Sequence, residues 1–128
     1  MSVYSVSASI VVYKSPLKDI QNIILKLQKS RFKIKLFVVD NYPGGSFRAD
    51  DLHADVIYIA SKNVGYGAGH NKAIKETVSS DGVHFVINPD IDFDYLVIDK
   101  MVNKMIDNPS YSLIGPRLVG SDGGEQCN

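Results

Sequence analysis

The chain has 128 residues, 45% of them hydrophobic and 22% charged, which is the make-up of one folded domain and not of a disordered chain. Lys+Arg and Asp+Glu are equal at 14 each, so no global field draws the chain to nucleic acid or to an anionic membrane. The single cysteine, Cys127, has no partner for an internal disulfide, and no run approaches the ~18 apolar residues of a spanning helix. The N-terminus carries no charge before Lys14 and so lacks the basic region of a secretory signal, and a cytoplasmic protein is the expectation.

Ser5 to Ser9 alternates Ser with Val and Ala, and Ile10-Val11-Val12-Tyr13 follows as a continuous apolar run. Such a run suits a strand covered on both faces, as in a parallel sheet. Ser15-Pro16 has the chemistry of a helix start, and Leu17, Ile20, Ile24 and Leu27 then recur at helical spacing. Ile34 to Val39 reads as a second strand, ending at Asp40-Asn41 and a Pro43-Gly44-Gly45 loop. Val56 to Ile59 reads as a third strand, followed by the polar loop Ser61 to Gly69 and a helix from about Ala68 to Val78. His84 to Ile87 is a fourth strand, stopped by Asn88-Pro89, because proline has no N–H for the ladder. Ile98, Met101, Val102, Met105 and Ile106 describe another amphipathic helix, and Leu113-Ile114 a fifth, weaker strand. Strands alternating with helices argue for βαβ units, and the expected class is α/β with a mostly parallel sheet. Residues 117 to 127 resemble the start of a hairpin around Asp122-Gly123, which reads either as a frayed tail or as the opening of a longer protein.

In open parallel sheets, ligands bind beyond the carboxyl ends of the strands. Four polar or glycine-rich segments fall there: Tyr13-Lys14, Asp40-Asn41, Ser61 to Gly69, and Asn88 to Asp92. Asp40 has the position of a group that accepts from a ribose hydroxyl or a base N–H, and equally that of an Asx-turn opening its loop. In Asn63-Val64-Gly65-Tyr66-Gly67-Ala68-Gly69-His70-Asn71, glycines at alternate positions permit positive φ and close approach of a bound group, and the helix that follows offers free N–H groups. This is neither the dinucleotide fingerprint nor a P-loop, since the third glycine comes too early and no Lys-Ser/Thr follows. Asp90 and Asp92 place carboxylates past the fourth strand, where Mg²⁺ or Mn²⁺ shared with a diphosphate needs only one or two. Asp92 and Asp94 also suit a helix N-terminus. The three histidines have no metal-ligand spacing; His84 falls in the fourth strand, and His70 reads as structural, with contact to a phosphate from the helix start as the alternative.

These motifs, in the order Val11-Val12-Tyr13, Val38-Val39-Asp40-Asn41, Asn63-x-Gly65-x-Gly67-x-Gly69-x-Asn71, Ile87-Asn88-Pro89-Asp90 and Gly115-Pro116-Arg117-Leu118, resemble the family 2 glycosyltransferases. Within that family the chain is most similar to the bacterial rhamnosyltransferase-type enzymes of polysaccharide assembly. The resemblance implies a GT-A fold, a three-layer α/β/α sandwich whose nucleotide-binding half precedes an acceptor half. It implies that Val12, Tyr13 and Asp40 hold base and ribose, and that Asn63, Gly65 and Asn71 line the nucleotide-sugar site. Asn88-Pro89-Asp90 stands in the place of the Asp-x-Asp motif. Its first aspartate is Asn88, so the contact to a divalent cation, Mg²⁺ or Mn²⁺, falls to Asp90, with Asp92 as helper. The implied reaction is inverting transfer from a nucleoside-diphosphate-sugar to a saccharide or lipid-linked acceptor. The catalytic base of that family lies downstream, so these residues are expected to be a donor-binding module, the N-terminal part of a longer transferase. Cytoplasmic placement, peripheral to the inner face of the membrane through further parts, goes with it; no nucleic acid is implied. The rival readings are a nucleotidyltransferase and a non-catalytic nucleotide-binding module.

Overall fold

The computed structural model describes residues 5–45, 47–77, 82–111 and 113–115. Its elements, in chain order, are β1 (Ser5–Val12), α1 (Leu17–Gln28), β2 (Ile34–Asp40), a 3₁₀ turn (Ala49–Asp51), β3 (Ile57–Ala60), α2 (Tyr66–Ile74), β4 (Gly82–Ile87) and α3 (Leu96–Asp107). The four strands form one sheet in the order β3-β2-β1-β4, every pair parallel. The class is α/β with a parallel sheet, as the alternation of periodicities implies.

The topology decides where the helices go. β1, β2 and β3 step outward in one direction, and the chain then returns across the sheet to place β4 on the far side of β1. Parallel crossovers are right-handed almost without exception, so a connection that reverses direction must cross the opposite face. Accordingly α1 packs on the face formed by Val6, Ala8, Ile10, Val12, Leu36 and Val38, where it is joined by Phe47, Leu52 and α3. α2 packs on the other face, through Ala73 against Val11, Phe37 and Val39. The larger core lies on the first face. There Ile20, Ile23, Ile24 and Leu27 of α1 meet Ile98 and Val102 of α3 over the strands, all of them buried. Each such aliphatic side chain contributes about 1.5–3 kcal/mol when removed from water.

The helix boundaries depart from the sequence reading in instructive ways. Pro16, expected as the first helical residue, is the N-cap itself, with extended backbone, and no side chain caps the helix there. α2 begins at Tyr66 rather than Ala68 and ends at Ile74, because the Glu76 and Thr77 amides bond to Ala73 and Ile74 and tighten its last turn. Val78 lies outside the described residues, as does the hairpin expected from 117 to 127. Leu113 and Ile114 form no strand, and Leu113 is exposed; two apolar residues without a neighbour to pair with do not make a ladder.

Candidate functional site at the carboxyl edge of the sheet

The register aligns Val12, Asp40 and Ala60, so β1, β2 and β3 end together and the segments that follow them leave from one rim. Val12 itself is buried on the first face, and its carbonyl accepts the Asn41 N–H at 2.9 Å; what it offers is backbone. Beyond it Lys14 has φ 57°, a left-handed conformation that no other non-glycine residue adopts among the described ones. That conformation costs about 1–2 kcal/mol for a residue with a Cβ. Its ammonium sits 4.8 Å from the Tyr42 ring centroid and 5.4 Å from that of Tyr13, and the two rings pack edge-on at 5.3 Å. Both tyrosines are about 40% exposed (Tyr13 40%, Tyr42 43%), so two aromatic rings set edge to face, with a cation beside them, stand at the rim. The sequence reading singled out Tyr13 and passed over Tyr42; one ends an apolar run and the other lies in a polar loop, and nothing local signals that the two rings meet.

Asp40 is only 2% exposed. Its Oδ1 accepts the Tyr42 N–H at 2.9 Å, the Asx-turn, and its Oδ2 accepts the Tyr58 hydroxyl at 2.6 Å. Burial, helped by the bond to Asp40 and its charge, pushes the Tyr58 phenol up to about 12, so it stays a donor. The carboxylate thus anchors the rim from beneath. Asn41, the next residue, lies just past the end of β2. Its Nδ2 donates to the Gly65 carbonyl at 3.4 Å, and its Oδ1 is buried without a protein partner.

Gly65 is the N-cap of α2 at φ 85°, where a Cβ would be strained. The Asn63 side chain accepts the Gly65 N–H at 3.4 Å and so shapes this turn. The three glycines divide the work. Gly65 supplies the dihedral. Gly67 faces open space, with nothing within 4 Å of a Cβ placed on it. Gly69 lets α2 lie on β1, since a Cβ there would meet both Val11 methyls at 2.9 Å. Asn71 is exposed on the flank of α2, in an open groove shared with Val64 and Ala68.

After β4, Asn88-Pro89-Asp90-Ile91 closes a turn, with the Ile91 N–H on the Asn88 carbonyl at 3.4 Å. Pro89 is buried, while Asn88 and Asp90 are exposed. Asp92 is turned away to α1: Lys26 pairs with its Oδ1, Asn22 donates to it at 3.4 Å, and the bond and charge of Lys26 hold its carboxyl below the usual range. Asp94 accepts the Leu96 N–H at 3.0 Å and opens α3. Among the described residues no three His, Cys, Asp or Glu side chains gather into a cage for a metal ion. The donor set is therefore the exposed Asp90 carboxylate, which suits a hard cation whose other ligands are water and phosphate oxygens.

Under α2 lies a polar cluster. The Ser9 hydroxyl lies 2.7 Å from both His70 Nδ1 and His84 Nε2, and Ser7 Oγ lies 2.8 Å from His84 Nδ1. Burial pushes His70 down to about 4, aided by the charge of His84, and burial also lowers His84. Both imidazoles are neutral at pH 7 and serve structure. Ser7 and Ser9 are thus the buried polar side of a strand covered on both faces, while Ser5, at its start, is exposed.

No family model, curated protein or solved structure matches the chain. No helix among the described residues is long and apolar enough to cross a membrane.

Proposed function

We propose that this chain is the nucleotide-sugar-binding portion of an inverting glycosyltransferase of family 2, with the three-layer arrangement of a GT-A fold. The observation that carries the reading is the convergence on one sheet edge of Tyr13-Lys14, Asp40-Asn41, the Asn63–Gly65 turn with the N-terminus of α2, and Asn88–Asp90. Tyr13 and Asp40 take base and ribose. Asn63, Gly65 and Asn71 belong to the walls around the sugar diphosphate, and the free N–H groups at the start of α2 favour its negative charge. Asp90 holds a divalent cation jointly with the diphosphate; when bound, that ion offsets charge on the leaving group. The acceptor, a saccharide or a lipid-linked saccharide, is met by a further part of the protein that also carries the base. Peripheral association with a membrane belongs to that part.

Calorimetry of the chain with UDP, dTDP and GDP, with and without Mn²⁺, tests this. Binding of one nucleotide, strengthened by the metal, is expected. Absence of binding by all three overturns the reading. Binding without a metal effect favours a second one, a nucleotide-binding module without transfer, to which the lone exposed carboxylate of Asp90 lends support.

A further inference from the structure

The two faces of the sheet are unequally covered. α1 and α3 lie on one, whereas among the described helices the nine-residue α2 alone lies on the other. Beside α2 on that second face runs an open groove of about 520 Å³. Phe37 of β2 and Ile57 and Ile59 of β3 form its floor, and Lys35, Lys72, Lys75 and Glu76 line its sides. Lys35 stands at the start of β2 and Lys75 and Glu76 just past the end of α2, at the amino edge of the sheet, while Lys72 reaches Ser61 just past β3, so the groove runs along the sheet from its amino edge toward the carboxyl rim. Ile57, on its floor, is 37% exposed.

Three cations here face one carboxylate. Lys72 donates to a neutral partner, Ser61 Oγ, at 2.5 Å, and Lys35 lies over the Phe37 ring at 5.5 Å. Neither lysine, nor Lys75, is held in an ion pair among the described residues. Lysine stems line apolar surface while their heads stay in water, so the groove joins an apolar floor to a positive rim. We propose that it binds a single anionic amphiphile, with an aliphatic or ring body on Phe37, Ile57 and Ile59 and a phosphate or carboxylate head at the amino-edge lysines Lys35 and Lys75. Its volume lies inside the about 300–1,000 Å³ of small-molecule sites and so suffices for one molecule. This site stands independently of the transferase reading.

Titration of the whole chain with dodecyl phosphate below its micelle-forming concentration, followed by backbone amide shifts, tests the assignment. Saturable binding is expected, with shifts centred on residues 35–37, 57–59 and 72–76. Dodecyltrimethylammonium, with the same chain and the opposite head, should bind at least tenfold more weakly. The Lys35→Glu/Lys75→Glu pair should weaken dodecyl phosphate at least tenfold, and Glu76→Gln should tighten it two- to threefold. Should the double variant not fold, Lys75→Gln alone, at an exposed position, is expected to weaken binding about threefold. Equal affinity for both head groups, or no effect of the lysine and Glu76 variants, overturns the proposal. So does inorganic phosphate binding as tightly as dodecyl phosphate, or binding only to phosphatidylglycerol vesicles, which would make the face a bilayer contact.

Discussion

Ser9 of β1 and His70 of α2 are joined by a buried 2.7 Å hydrogen bond, so a polar pair lies in the seam between the sheet and the helix on its second face. Because Ser9 Oγ also meets His84, one hydroxyl links three elements, and its loss leaves two imidazoles short of a partner. Ser9→Ala should cost about 1–3 kcal/mol in urea unfolding, the range for stranding a buried polar group.

The same pair makes stability depend on pH. His70 is pushed down to about 4 in the fold against an ordinary 6.5, so between these values the unfolded chain binds the extra proton. Its contribution is therefore complete above pH 6.5 and is lost as the pH falls toward 4, up to about 3 kcal/mol at one unit per 1.36 kcal/mol. Urea midpoints measured from pH 7.5 to 4 should fall through this window. His70→Gln should flatten the fall, and the lowered His84 should account for what slope remains.

Gly69 and Gly67, two residues apart on α2, should answer oppositely to the same change. Gly69→Ala drives a Cβ into the Val11 methyls and should destabilise the chain by about 1–3 kcal/mol. Gly67→Ala enters open space in a helix and should be neutral or stabilising by up to about 1 kcal/mol. If a nucleotide approaches the backbone at Gly67, this variant gains stability and loses nucleotide affinity; calorimetry and thermal melts on one sample show both.

Asp40 can act on stability and on ligand, and Tyr58 separates the two. Tyr58→Phe leaves the carboxylate in place and should cost about 1 kcal/mol of stability while nucleoside binding persists. Asp40→Ala strands both the Tyr58 hydroxyl and the Tyr42 N–H and should cost about 1–3 kcal/mol. It should also weaken nucleoside binding in the absence of metal at least tenfold. Equal affinities of the two variants would confine Asp40 to the Asx-turn.

Asp90 and Asp92 are expected to differ although they are two residues apart. Asp90→Ala, at an exposed turn, should leave the melting midpoint unchanged and remove the Mn²⁺-dependent part of nucleotide binding. Asp92→Asn should release Lys26 and leave metal-dependent binding intact, because its carboxylate faces α1. Loss of the metal effect in Asp92→Asn would show that the loop rearranges to bring this carboxylate to the rim.

The strands and the helices α1 and α3 were legible because their apolar residues recur at the period of the element that buries them, as Ile20, Ile24 and Leu27 do. Asp94 at the start of α3 was legible for the same local reason, an acceptor beside free N–H groups. α2 was misjudged at both ends. Its first turn contains glycines that no periodicity marks, and its close fit rests on Val11, a residue far earlier in the chain than Gly69. Leu113-Ile114 looked like a strand because hydrophobicity alone cannot supply a hydrogen-bonding neighbour.

Residue order alone determined the α/β class, the alternation of elements, and the fact that the polar segments follow strands rather than precede them. Local propensity and burial period act over a few residues, and these are what a linear reading contains. Only the tertiary structure decided that Lys14 lies over Tyr13 and Tyr42, that Asp40 is held from below by Tyr58, that Asp92 belongs to α1, and that lysines from β2 and α2 border one groove. Each of these depends on which strand lies beside which and on which face a crossover takes. That is set by sheet order and handedness, and by no neighbouring residue.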